Sequence, residues 1–468
     1  MYAIETNRTL VKIIESWSIT DNPINTTQEI IDWIKEKNKT AIVRVFKEQY
    51  NYTDKNNWYY DSGLGDIRNR NGSFFQIKGL QKFTDSNVVQ EQPIIIQNEI
   101  GYLGIICKEI NGILYFLMQA KIEPGNVNKI QISPTIQATK SNFMQTHGGK
   151  APAYLEYFSD SDNYEVIVDQ IQSEQSSRFL GKRNRNIIIR VDSEIEVLES
   201  HKWMTLGQIK QLMHFDNLVN MDTRTVISCI PFSLRNFTYK ELSYIRSLFQ
   251  KEVFFNSMFS GNPGNEINRI YHYMNEIKML DRSEIKLIDL YSLNDWKFDD
   301  KYEFCSKNGD FKIVYCNIEI EGREVRRWSQ PLLEATGQSI FGLMYINEEG
   351  MNKYLVHSIS EVGCFDKIEV GPSVQLGPHN KGNTIIDCIF EQNLEQNKGV
   401  EFNGLFSEEG GRFYQEQNRN VIMKIDKRDI PELPEGYFWA DYQTLNVLIQ
   451  FNNCLNIQLR NLLSILNI

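Results

Sequence analysis

Residues 101–122 read GYLGIICKEINGILYFLMQAKI, two runs of β-branched and aromatic residues on either side of Asn111-Gly112. A type I′ turn needs positive φ at both central positions, so Asn-Gly between such runs predicts a hairpin. FGLMYINEEGMNKYLVHSI (341–359) predicts a second hairpin with a longer turn. NIIIRV (186–191) and NVIMKI (420–425) are short apolar runs of the kind that form buried strands. Helices are marked by capping boxes. Thr205-x-x-Gln208 precedes Leu206, Ile209 and Met213 on one helical face, Thr26-x-x-Glu29 opens QEIIDWIKEKN, and Thr238-x-x-Glu241 opens KELSYIRSLFQKEVF. A helical segment therefore precedes each strand-rich region, and the fold class is α+β.

These elements are written twice. Ser173, Glu174, Arg178, Phe179, Asn184, Arg185 and Asn186 recur as Ser407, Glu408, Arg412, Phe413, Asn418, Arg419 and Asn420. Residues 92–138 line up with 330–376, where Gln92-Pro93, Gly104, Glu123, Gly125, Pro134 and Gln137 meet Gln330-Pro331, Gly342, Glu361, Gly363, Pro372 and Gln375. Residues 203–228 match 439–464 in the same way. Spacing this constant over so long a stretch identifies a tandem duplication of a domain, far longer than a solenoid unit. SGNPGNE (260–266) is the most loop-like central stretch, so the boundary falls between 235 and 300, and the repeats are residues 1–235 and 236–468.

Composition narrows the function classes. A chain of 468 residues exceeds one ordinary core, and 41% hydrophobic with 24% charged residues is globular. The formal charge of −10 disfavours bulk attraction to nucleic acid or anionic membrane, so any bound anion needs a local basic cluster. No apolar run reaches the roughly 18–20 residues of a membrane span, and MYAIETNRTLVKIIE lacks the basic start and apolar block of a signal peptide. Seven cysteines without a C-x-x-C pair point to reduced thiols and a cytoplasmic setting.

Retention across the duplication singles out polar residues. Asn220, Arg224 and Ser228 are four apart and stack along one helical face; Asn456, Arg460 and Ser464 repeat the stripe, although Asp222 and Thr223 became Gln458 and Leu459. Solvated faces drift, so a retained arginine predicts a partly buried guanidinium with an anion or carboxylate partner. Arg185 and Arg419 fit the same reading. GKRNRN (181–186) gathers Lys182, Arg183 and Arg185 in one loop, either solvated or a clamp on a phosphate. ATKSNFMQTHGGKAPAYLEYF (138–158) has no good counterpart in the second half. Within it, His147 precedes Gly148-Gly149, where backbone can approach a ligand closely, and Glu156 lies between Tyr154 and Tyr157. Both are equally readable as surface groups.

Several chemistries leave no trace. There is no G-x-G-x-x-G after a strand, no G-x-x-x-x-G-K-[ST], no H-E-x-x-H and no G-x-S-x-G. The six histidines show no ligand spacing, and neither metal nor cofactor is inferred.

The phrases SPTIQATKSNFMQTHGGKAPAYLEYF, VDQIQSEQSSRFLGKRNRN, WMTLGQIKQLMHFDNLVNMDTRTVISCIPF and FNNCLNIQLRNLLSIL resemble those of the NDP-hexose 2,3-dehydratases, over essentially the whole chain. The resemblance implies a dTDP-4-keto-6-deoxyglucose substrate, a homodimer, and two Nudix-hydrolase-like halves each able to hold a nucleotide. Loss of water from C2–C3 would follow C3 proton abstraction beside the C4 ketone, and a labile diketo product implies hand-off to an NADPH-dependent 3-ketoreductase. On this reading the first half is catalytic and the second an auxiliary nucleotide site. His147 and Glu156 move protons, and Tyr154, Thr139, Ser141 and Asn142 donate to the sugar. Gln137, Arg178, Lys182, Arg183, Arg185, Asn220 and Arg224 complete the first pocket. Trp328, Ser373, Gln375, Arg412, Arg419, Asn456 and Arg460 form the second, with Trp328 expected to contact a ring. The first half reads SNVVQEQP where the second has EVRRWSQP, so it lacks that tryptophan. No Nudix box is present, so metal-dependent pyrophosphate cleavage does not follow from the fold. A Nudix-like nucleotide-sugar pyrophosphohydrolase and a non-catalytic nucleotide-sugar binding protein are the alternatives.

Overall fold

The three capping boxes form as read. Thr26, Thr205 and Thr238 each accept from the backbone N–H three residues on, while Glu29, Gln208 and Glu241 reach back to the cap. They open the helices Thr27–Thr40, Leu206–Leu212 and Tyr239–Leu248. The computed structural model describes residues 2–53, 57–72, 74–140, 151–234, 237–321 and 325–468.

Gly101–Ile110 and Ile113–Ile122 pair antiparallel around Asn111-Gly112, whose φ values are 51° and 83°. The second hairpin, Ile340–Glu348 with Met351–Ile359, closes on Glu349-Gly350 at 52° and 75°. Its turn is therefore the same two-residue type and not the longer one expected. The twist of the paired strands selects this turn, and glycine at the second position lets a glutamate occupy the first.

Each hairpin is the centre of a seven-stranded mixed sheet. In the first half the order is Glu165–Ser173, Arg183–Arg190, Gly101–Ile110, Ile113–Ile122, His201–Met204, with Ile130–Ser133 and Ile136–Ala138 attached to the hairpin. Arg183–Arg190 joins Gly101–Ile110 in parallel and the other pairs are antiparallel. The second half repeats this arrangement, with Gln417–Lys424 parallel to Ile340–Glu348. The helices Leu155–Ser159 and Ile385–Glu395 press Phe158 and Phe390 against Gly104 and Gly342. A Cβ there would come within 2.4 and 2.3 Å of the ring, which explains why these glycines survive in both copies.

Each half also has a five-stranded antiparallel sheet, and neither is self-contained. Val43–Glu48 of the first half pairs with Phe311–Ile320 of the second, and Glu284–Ile288 of the second pairs with Gln76–Thr84 of the first. A cut at residue 235 separates the repeats in sequence but leaves each small sheet one strand short.

The duplicated arginine-bearing phrase lies between the halves. Arg224 is 1% exposed and donates to Val219 O at 2.5 Å and, across the interface, to Ser407 O at 3.0 Å. Arg460, also fully buried, donates to Leu455 O at 3.2 Å and, across the interface, to Ser173 O and Thr225 Oγ1. Arg178 stacks 4.3 Å over Phe311 of the second half, and Arg412 stacks 4.4 Å over Phe75 of the first. The N–H of Gly125 donates to Gly410 O, and that of Gly363 to Ser176 O, at 2.7 and 2.8 Å. Arg224 and Arg460, expected in the two nucleotide pockets with an anion or carboxylate partner, are instead taken up by the interface between the halves. Their bonded donors point at carbonyl oxygens and, for Arg460, also at the Thr225 hydroxyl, in a region closed to solvent where a guanidinium needs such partners to be tolerated. They were retained because each half needs the other's arginine.

Candidate functional site

A cavity of about 460 Å³ opens over the seven-stranded sheet of the second half, a size typical of small-molecule sites. Its floor is His357, Ile359, Ser373, Gln375 and Tyr437, and its rim includes His379, Asn380, Lys381 and Asp387. His357 and Ile359 face the same way because they are two apart on one strand. The Ser373 hydroxyl donates to Leu355 O at 2.6 Å and accepts from Met344 N–H at 2.8 Å. The Gln375 amide is fixed at both ends: Nε2 donates to Glu361 Oε1 at 2.8 Å, and Oε1 accepts from Asn456 Nδ2 at 3.0 Å. Asn456 in turn caps the helix Ile457–Ser464. Burial pushes the Glu361 carboxyl up to about 7, Glu369 adds to this, and Arg178, Gln375 and the Ser177 N–H pull the other way. His357 stacks on Tyr437 with centroids 4.0 Å apart, and burial lowers its pKa.

The first half has the same scaffold. Thr135 Oγ1 donates to Leu117 O and accepts from Ile106 N–H. Gln137 Nε2 donates to Glu123 Oε1 at 2.9 Å and its Oε1 accepts from Asn220 Nδ2 at 3.1 Å. Asn220 is the N-cap of the helix Met221–Ser228, so it precedes the helix and does not extend its polar face. Where the second half has His357, Ile359 and Tyr437, the first has Gln119, Lys121 and His201. Lys121 Nζ donates to Gln137 O at 3.1 Å and stands 3.9 Å from Glu123 Oε1. The His201 ring is buried against Thr135 O and Ser200 Oγ at 3.1 and 3.0 Å. Burial pushes its pKa down to about 4, so it is neutral.

The structure thus brings Gln137 and Asn220 together in one half, and Ser373, Gln375 and Asn456 in the other. Thr139 follows the strand Ile136–Ala138 and is half-buried. Other expected residues lie elsewhere. The Tyr154 hydroxyl donates to Glu196 O and accepts from Leu198 N–H at 2.9 and 3.1 Å, which makes it a tie within the fold. Glu156 is solvent-exposed. Lys182, Arg183 and Arg185 do not form a loop cluster: Arg183 and Arg185 lie in a strand, and each of the three has its own partners. Lys182 donates to Glu99 O and Asn184 Oδ1, Arg183 stacks 3.6 Å over Phe365, and Arg185 makes two 2.7 Å bonds to Asp169. Arg419 is bonded to Asn403 Oδ1 at 2.9 Å, and Trp328 donates to Gln330 Oε1 within the second small sheet. Ser141, Asn142 and His147 lie outside the described residues. Lys121 escaped the sequence reading, although setting AKIE (120–123) against SISE (358–361) displays the lysine opposite an isoleucine.

Known proteins place the chain. The family model described as NDP-hexose 2,3-dehydratase matches residues 27–230 and again 267–466. A dTDP-4-dehydro-6-deoxy-alpha-D-glucopyranose 2,3-dehydratase of Saccharopolyspora spinosa is 37% identical, covering 88% of this chain and 85% of its own. Proteins of the same name from Streptomyces violaceoruber and Amycolatopsis orientalis are 34% and 31% identical, covering 92% and 97% of this chain and 95% and 93% of theirs. With both repeats matched and at least 85% of each relative covered, the chain belongs to the NDP-hexose 2,3-dehydratase family.

Proposed function

We propose that the chain removes water across C2–C3 of dTDP-4-keto-6-deoxy-D-glucose, the sugar nucleotide in the names of its three relatives. The observation that carries this is similarity that covers both repeats and 88–97% of the chain. The chemistry needs little beyond acid–base groups. The C4 ketone acidifies the C3 proton; its removal gives an enolate that expels the C2 hydroxyl, leaving an enol that tautomerises to a 3,4-diketo-2,6-dideoxy sugar. The protein must supply a base, an acid for the departing hydroxyl and donors to the enolate oxygen. The fixed amide of Gln137 is suited to orienting the sugar, and the second-half cavity around Gln375 to a second nucleotide.

The remaining parts of the reading are a Nudix-hydrolase-like topology for each seven-stranded sheet, a homodimer, and product hand-off to a ketoreductase. A cytoplasmic setting accords with seven cysteines that are all free thiols. Incubation with dTDP-4-keto-6-deoxyglucose, an NADPH-dependent 3-ketoreductase and NADPH, followed by mass analysis, tests the proposal. The expected product has lost one water and gained two hydrogens, a net loss of one oxygen atom. Unchanged substrate, or release of dTMP, would overturn it in favour of a binding protein or a pyrophosphohydrolase.

A further inference from the structure

We propose that Asn220 and Glu123 are positioning residues of the first-half site: they hold the Gln137 amide so that it can only donate, and what it meets is an accepting oxygen of the substrate. This rests on the dehydratase reading. The polarity starts at a helix end. Thr223 N–H donates to Asn220 Oδ1 at 2.8 Å, which leaves Asn220 Nδ2 to face Gln137 Oε1 at 3.1 Å. Ser133 Oγ donates to the same oxygen at 3.1 Å, so both of its lone pairs are taken. At the other end Gln137 Nε2 donates to Glu123 Oε1 at 2.9 Å, and Glu123 Oε2 accepts from the Gly410 N–H of the second half at 3.2 Å. An amide nitrogen carries two hydrogens. Among the described residues none accepts the second one, and it is what Gln137 has left to present to a ligand. The side chain is half-buried, and its counterpart Gln375 floors the second-half cavity.

Capping alone does not explain the asparagine. Elsewhere among the described helices the side chains that cap are threonines or aspartates, as at Thr26, Thr205, Thr384 and Asp441. Asparagine caps at Asn220 and Asn456 alone. An aspartate would cap as well, but it has no donor for the neighbouring glutamine. What distinguishes asparagine at these two places is therefore Nδ2, the atom that sets the amide. The second half repeats the polarity: Leu459 N–H donates to Asn456 Oδ1, Asn456 Nδ2 to Gln375 Oε1, and Gln375 Nε2 to Glu361 Oε1, at 2.9, 3.0 and 2.8 Å. Fixing an amide from both ends matters where its partner cannot turn round. A hydroxyl can, since it both donates and accepts, whereas a ketone, ether or phosphate oxygen only accepts. The oxygen that Gln137 meets belongs to this second class.

The test turns the amide over. Asn220→Asp keeps the cap but offers Gln137 only an acceptor. Glu123→Gln, whose oxygen is held by the Gly410 N–H, offers it only a donor. Each single variant sets like against like, whereas the double variant satisfies every bond with the amide reversed, and Gln137 then presents its oxygen. Urea midpoints and kcat/KM on dTDP-4-keto-6-deoxyglucose are measured for the unaltered full-length chain and the three variants. The double variant should be more stable than either single one, while kcat/KM stays at least about tenfold down in all three. A double variant that regains stability and also comes within about tenfold of the unaltered kcat/KM would make these bonds structural only. A double variant no more stable than the single ones would overturn the polarity itself. No turnover by the unaltered chain would overturn the dehydratase reading and the substrate contact with it, while the midpoints would still report the polarity.

Discussion

The two sites share a skeleton and differ in charge. Asn220–Gln137–Glu123 and Asn456–Gln375–Glu361 are the same hydrogen-bonded chain, built on the same strands and ended by the same helix cap. They part at Lys121 against Ile359, Asp222 against Gln458 and Glu409 against Gln175, and in the opposite sense at Gln131 against Glu369, besides the uncharged differences already named. What survives duplication is therefore architecture, and what diverges is chemistry. A search confined to retained residues finds the first and passes over the second.

The largest effect is expected where the halves depend on each other. Arg224→Ala and Arg460→Ala should each cost about 3–5 kcal/mol of stability, because each leaves carbonyls unpaired and nearby buried acids without their cation. Urea unfolding should give similar losses for both. A silent Arg460→Ala beside a damaging Arg224→Ala would show the interface to be less reciprocal than its geometry. Next come Gly125→Ala and Gly363→Ala, whose added Cβ would lie 1.6 Å from Phe413 O and 1.9 Å from Phe179 O. Overpacking of this kind costs about 1–3 kcal/mol, and the midpoints of the two variants should fall alike.

Stability should also respond to pH through Glu361. Its folded pKa is about 7 against an ordinary 4.5, so the folded chain holds its proton more tightly than the unfolded one. That contribution is present below about 4.5 and is lost as pH rises through about 7. Ile359→Lys would set a cation beside the carboxylate, as in the first half, and should flatten this part of the slope. Urea midpoints at a series of pH values decide it, and an unchanged slope would mean that Glu361 does not respond. The smallest effect concerns His201. With a folded pKa near 4 against 6.5, it favours folding above about 6.5, and this support is lost as pH falls through about 4. An NMR titration should show no imidazolium until the pH approaches 4.

Much of this fold was legible in the chain. Capping boxes and an Asn-Gly hairpin are local signals, decided by a few residues, and they formed as read. The second turn was misjudged because Glu-Gly is a weaker turn signature than Asn-Gly. The partner of a strand is not local information: nothing in VRVFKE says that it pairs with residues 315–320 and not with its own half. Retention of Arg224 and Arg460 was plain, but a buried arginine can serve an anion or a carbonyl oxygen equally, and only the packing distinguishes them. Arg183 and Arg185 form no clamp because each is taken up by its own partner, Arg183 by the Phe365 ring and Arg185 by the Asp169 carboxylate.

The exchanged strands set a timetable for synthesis. The first small sheet needs Glu284–Ile288, so it stays open until well over half the chain has been made. Until then the outer edge of Gln76–Thr84 shows unpaired N–H and C=O groups to any other chain nearby, a known route to misassembly. Pairings this distant in sequence also slow folding, since a long loop must close before any contact rewards it. The native state should therefore appear late and all at once, with neither half persisting as a folded fragment.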